Sequence, residues 1–298
     1  MKLLKIKKSY SVTFSPDGTL LATMGRYVSV WDVAKGRKKF RCNPLRHPSH
    51  LCFSPSGKQL AVKGTSGHIF IIDSETGEAV SDFMNLEDGE GANPQYSSCG
   101  EYLVDGSWNG RLFVRRASTG GIEFAQDFPG EMITRIHSAK EGQLWVVEHS
   151  PVATTSNLPL APDYFSLWSW PFRVNSCLFF PRRISFVRLS AVTRDGSLLA
   201  VVHGTPPVTL AVYRMSDGTE AGSVSIEAGG MGNGLSWSPD GRYIGLAQSK
   251  GAVVYEADKL KPVRDFSVPY ASDIAFATQG NLLAIGSWQA GLVISLDE

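Results

Sequence analysis

The chain is poor in cysteine: 298 residues contain only Cys42, Cys52, Cys99 and Cys177, and no two form a C-x-x-C pair. That spacing argues against a structural zinc site and against a dense disulfide framework, so reduced thiols in a cytoplasm are expected. Long apolar runs are also missing. Nothing approaches the roughly 18 uncharged apolar residues of a membrane span. Met1 to Ser9 alternates Leu and Ile with Lys, unlike the apolar centre of a secretory signal, so no membrane association is expected. Charge of one sign is scarce as well, with 29 Lys and Arg against 28 Asp and Glu. A net charge of +1 without interleaved aromatic and basic residues removes the main argument for a nucleic-acid partner.

Catalytic signatures are equally thin. The sequence has no G-x-S-x-G elbow and no P-loop, and Gly229-Gly230-Met231-Gly232-Asn233-Gly234 precedes an expected strand, whereas a phosphate cradle needs a helix amino terminus. His47, His50, His68, His149 and His203 fall in expected loops, but only His47-x-x-His50 is a close pair, short of the three or four ligands that zinc requires. The expectation is therefore no catalytic residue, no metal and no cofactor.

What the sequence does have is self-similarity. Phe14-Ser15-Pro16-Asp17-Gly18 recurs as Phe53-Ser54-Pro55-Ser56-Gly57 and as Trp237-Ser238-Pro239-Asp240-Gly241, with weaker copies ending at Gly100, Gly142, Gly196 and Gly280. Successive glycines are 39, 43, 42, 54, 45 and 39 residues apart. Pro presets φ and Gly accepts the positive φ of a tight turn, and an apolar run follows each glycine. A third, alternating run leads to a second glycine, as in Val28 to Asp32 before Gly36 and Ile69 to Asp73 before Gly77. A fourth run, such as Lys38 to Cys42, ends the unit. Four short antiparallel strands every 40 to 45 residues fit propeller blades.

Through Phe14 to Gly18 with Val28 to Asp32, including the literal pair Trp31-Asp32, and Phe53 to Gly57 with Ile69 to Asp73, the chain resembles the WD-repeat family. Propellers of the surface-antigen and lactonase type share such turns. The resemblance implies an all-β, seven-bladed propeller of four-stranded antiparallel blades, occupying residues 1–298 as one domain. After Gly280 only two strands remain, so residues 1–8 are expected to supply the outer strand of the last blade by pairing with 291–297. The long fourth interval holds an inserted loop, 149–163, rich in proline.

The resemblance also implies a function: a monomeric, non-enzymatic scaffold that binds a partner protein through the face carrying the loops into the inner strands and between second and third strands. On that top face the expected contact residues are Tyr10, Arg26, Tyr27, His50, His68, Trp108, Asn109, Pro159, Tyr270 and Trp288, since aromatic and Arg side chains anchor interfaces. Two alternatives stay open. One is a propeller hydrolase or lyase with Asp105, Glu148 and Asp273 near the channel mouth; the other is a dedicated neutralising partner, such as a toxin immunity protein. The neutral total hides a local balance of +9 over residues 1–50 and −9 over 71–131, which would steer a charged partner.

Overall fold

A computed structural model describes residues 2–84, 89–152, 162–169, 173–178, 184, 186–226, 231–279 and 281–297. Its described strands form seven antiparallel sheets arranged as a propeller, six of them with four strands in simple chain order. Blade 1 runs Ser11–Phe14, Leu20–Met24, Val28–Asp32 and Arg37–Cys42 from the axis outward. Burial peaks at the second strand and falls outward from it: Ser11–Phe14 is half buried, Leu20–Met24 is wholly buried and Arg37–Cys42 is mostly exposed.

The repeated turn is built by its Ser or Thr as much as by its glycine. The Ser15 N–H donates to Leu20 O at 2.9 Å, Gly18 N–H donates back to Ser15 O at 2.8 Å, and Leu20 N–H donates to Ser15 Oγ at 2.9 Å. The same three bonds recur at Ser54, Ser97, Thr193 and Ser238. A side-chain hydroxyl thus satisfies a backbone donor that the turn leaves without a ladder partner. Gly18 sits at φ +73°, which a residue with a Cβ rarely adopts.

The apolar core lies in layers between blades. Leu20, Ala22, Val28 and Val30 of blade 1 pack on Phe53, Leu60, Val62 and Ile72 of blade 2. Leu4 and Ile6 pack with Val12, Phe14 and Leu21 of blade 1 and Ala284 and Val293 of blade 7, so the amino terminus is part of the layer that closes the ring.

The last blade is completed as expected, with a shifted register. Ala271–Phe276 pairs with the first part of Leu282–Ser295, which then turns back at Trp288 and Gln289; Leu296 N–H donates to Asn281 O at 2.9 Å. Lys2–Lys7 pairs with the returning part, as Lys2 with Ile294, Ile6 with Gly291 and Lys7 with Ala290, and after a register shift Ser9 meets Ser287 on the outgoing part. The partners on the returning part are therefore 290–294 instead of 291–297.

The expected loop 149–163 also needs correction at its start. His149 belongs to the strand Leu144–Pro151, and the chain re-enters the blade at Tyr164–Ser169. Most of the insertion, with Pro159, lies outside the described residues. Its base is clamped by Asp163, which accepts from Ser150 Oγ at 2.7 Å and from Val187 N–H at 2.9 Å. No helix among the described residues is long and apolar enough to cross a membrane.

Candidate functional site

The top-face residues divide into one convergent group and several isolated ones. In the sector of blades 7, 1 and 2, the Tyr10 ring stacks on Trp288 with centroids 4.7 Å apart and planes 26° from parallel. Tyr10 comes from the connection between the closing strand and blade 1, and Trp288 from the hairpin tip of blade 7. The Tyr10 hydroxyl donates to Pro48 O at 2.8 Å, which ties the stack to blade 2. Burial, then Glu90, raises the Tyr10 pKa, so its hydroxyl remains a donor. Trp288 is nevertheless 60% exposed, and Tyr270, whose carbonyl accepts from Trp288 N–H, is 56% exposed. Both are large apolar side chains that remain open to water on a fixed backbone.

Beside the stack lies a groove of about 630 Å³ lined by Tyr10, Gly25, Arg26, Arg46, His47 and Pro48 among others. Gly25 is required there, since a Cβ would stand 2.1 Å from Lys8 O. The groove is cationic. Arg26 lies over the Tyr27 ring at 5.5 Å and Arg41 over the same ring at 4.5 Å. Among the described residues no carboxylate forms an ion pair with Arg26, Arg41 or Arg46. Thus Tyr10, Arg26, Tyr27, Tyr270 and Trp288 come together, and Arg41, Arg46 and His47 complete the patch.

The remaining expected contacts lie elsewhere. Trp108 is 46% exposed on the second hairpin of blade 3 with Asn109 beside it. His68 is occupied by Asp82, 3.2 Å away, and packs on Phe70. His50 is on the inner strand Pro48–Phe53 and not in a surface loop; burial, then Lys63 and Arg135, pushes its pKa down to about 3. A bulge between Pro48 and His50 is what displaces it from the expected position.

Asp105 is not at the channel mouth: it is buried against Lys63, with Nζ to Oδ1 at 2.6 Å. Glu148 is on the second strand of blade 4 and Asp273 on the inner strand of blade 7, and both carboxyls are raised by burial, opposed in each case by Arg135 among other groups. Glu148 accepts from Thr134 Oγ1 at 2.5 Å and from Ser190 Oγ, and Ser190 Oγ is also 2.7 Å from His137 Nε2. With the single Ser190 proton on Glu148, His137 is the donor and activates no nucleophile.

A second line, Glu131, His149 and Ser166, has the order of an acid, a base and a hydroxyl. Its distances are 3.0 Å from Oε2 to Nδ1 and 2.6 Å from Nε2 to Oγ. Trp168 Nε1–H donates to Ser166 Oγ and Tyr164 OH to Glu131 Oε2, so a neutral His149 satisfies every member. His149 is stacked on Tyr164 at 4.4 Å, and burial lowers its pKa to about 4. Ser166 is buried, 1% exposed. No sequence spacing announces this network, because its members approach across three strands of one blade.

These blades define a WD-repeat-like seven-bladed β-propeller. Within it, residues 26–89 match the family described as the anaphase-promoting complex subunit 4 WD40 domain. Among solved structures the chain is similar to hydrazine synthase of Kuenenia stuttgartiensis, at 13% identity, covering 98% of this chain and 96% of that one, with a TM-score of 0.79. At that identity the likeness concerns the fold alone. No curated protein matches the sequence.

Proposed function

We propose that this propeller is a non-enzymatic docking protein that binds a partner protein through the top face of blades 7, 1 and 2. The observation that carries the reading is the Tyr10–Trp288 stack: one face of Trp288 is fixed by Tyr10, while 60% of the side chain stays in water beside a cationic groove. Preorganised aromatic anchors lose little side-chain entropy on binding, so they contribute disproportionately to affinity. Cys42, Cys52 and Cys99 are free thiols, in keeping with a reducing compartment such as the cytoplasm.

The test is affinity capture from native lysate with the wild-type protein and with Trp288→Ala, Tyr270→Ala and Trp108→Ala, identifying retained proteins by mass spectrometry. One stoichiometric partner should be lost from the Trp288 and Tyr270 variants and kept by the Trp108 variant, which lies outside the stack. Retention of that partner by a folded double variant, Trp288→Ala with Tyr270→Ala, overturns the assignment.

A further inference from the structure

The groove beside the Tyr10–Trp288 stack has a chemistry that narrows the kind of partner it fits. Its lining includes Arg26, Asn43, Arg46, His47 and Thr65 and, among the described residues, no carboxylate. Arg26, Arg46 and His47 are exposed. Arg41, also exposed, shares the Tyr27 ring with Arg26. Two guanidiniums over one ring repel each other, and the ring offsets that only in part. On other blades Arg116, Arg194 and Arg242 are each paired with a carboxylate. Arg26, Arg41 and Arg46 have no ion pair or side-chain hydrogen bond among the described residues. Glu90 acts on Tyr10 at the groove wall but pairs with none of them.

The neutral groups of the groove are open as well. The Asn43 and Thr65 side chains make no hydrogen bond among the described residues, so an amide and a hydroxyl are left for the backbone of a bound segment. Two backbone donors beside them are used: Thr65 N–H donates to His47 O at 2.9 Å and Gly25 N–H to Tyr27 O at 3.0 Å. A phosphate cradle draws on free backbone donors of this kind, whereas a carboxylate needs only a guanidinium fork. Beyond Tyr10, the exposed Trp288 adds an apolar contact.

We propose that the groove takes a short acidic segment of the partner protein, with carboxylates on Arg26 and Arg46 and a neighbouring apolar side chain against Trp288. The inference rests on the docking reading above and names the chemistry of its partner. Charge complementarity carries it: the three arginines lack carboxylates of their own, and residues 1–50 hold a balance of +9. A concave site suits a segment of chain, whereas a flat membrane surface would meet only its rim.

The probe is a fluorescein-labelled, end-capped hexapeptide of five glutamates and one leucine, with glutamines in place of the glutamates as its neutral counterpart. Fluorescence anisotropy at about 0.1 M salt, where the Debye length is about 10 Å, should show saturable 1:1 binding of the acidic peptide and little of the neutral one. Arg26→Ala with Arg46→Ala should weaken the acidic peptide about tenfold or more, the scale of a lost hydrogen bond between charged groups. Lys35→Gln with Lys58→Gln removes as many exposed cations from turns at the other end of the blades and should leave the affinity unchanged. Equal binding of the neutral peptide, unchanged affinity in the arginine variant, or an equal loss in the lysine variant overturns the proposal. So does arginine-dependent binding to phosphatidylserine vesicles without peptide binding, or a dimer in sedimentation velocity that the arginine variant abolishes. If the peptide fails while Trp288→Ala still loses the captured partner, the acidic class is refuted and the docking face stands; if neither effect is seen, both are refuted.

Discussion

Lys63 Nζ lies 2.6 Å from Asp105 Oδ1, and neither side chain meets solvent. The ammonium also donates to Ala92 O at 2.8 Å and Gly106 O at 3.1 Å, so all its protons are used and blade 2 is tied to blade 3. Breaking a buried pair from one side leaves an uncompensated charge, at a cost of about 3–5 kcal/mol, whereas replacing both partners by apolar groups is close to neutral. Lys63→Met and Asp105→Leu should each lower the unfolding free energy in urea by that amount, and the double variant should recover most of it. Simple additivity in this double-mutant cycle would contradict the coupling.

Ring closure makes a second prediction. Ile6 is fully buried in the layer between blades 7 and 1, so Ile6→Ala should cost about 2–5 kcal/mol. Deleting residues 2–8 removes the outer strand of blade 7 and exposes a long edge. Calorimetry should then show a lower and broader transition; a melting curve like that of the intact chain would refute the closing role.

What the sequence made legible was local. Ser-Pro-Asp-Gly turns depend on residues within six positions of one another, and their spacing fixed seven blades without any long-range information. The closing strand could be inferred by counting strands after Gly280, but its register depended on how tightly the hairpin at Trp288 turns. Tyr10 and Trp288 could be placed on one face as loop aromatics, yet their contact joins opposite ends of the chain and only ring closure creates it. His50 and His149 were expected in loops and are on strands, because a bulge and a lengthened strand carry each of them inward.

The buried histidines set the acid side of the stability profile. His50 and His137 are held at about 3 and His149 at about 4, all by burial first, against about 6.5 in an unfolded chain. Between those values the unfolded chain binds more protons, so stability is complete above about pH 6.5 and is lost as the pH falls towards 4. Glu148 and Asp273, raised by burial, act in the opposite sense within the carboxylate range. His149→Gln should flatten the dependence between about pH 6.5 and 5 by up to about 1.4 kcal/mol per pH unit, with its lost hydrogen bonds lowering stability at every pH. Urea titrations at several pH values check this; identical slopes in variant and wild type would exclude a neutral buried His149.

The top face should separate steering from anchoring. Arg26 and Arg46 line the groove, are exposed and have no carboxylate partner among the described residues, so their field reaches outward to an approaching partner. Exposed rim charges act mainly on association and its salt dependence, whereas buried anchors act on dissociation. With the partner recovered through Trp288, the double variant Arg26→Ala with Arg46→Ala should slow association several-fold at low salt, by an amount that shrinks as ionic strength rises past a Debye length of about 8 Å. Trp288→Ala should instead speed dissociation by about tenfold or more, the range of a hot-spot truncation. Surface plasmon resonance at two salt concentrations distinguishes the two. If the arginine changes altered only dissociation, or left the salt dependence intact, the cations would not be steering the partner, and the groove would serve the stack only as a wall.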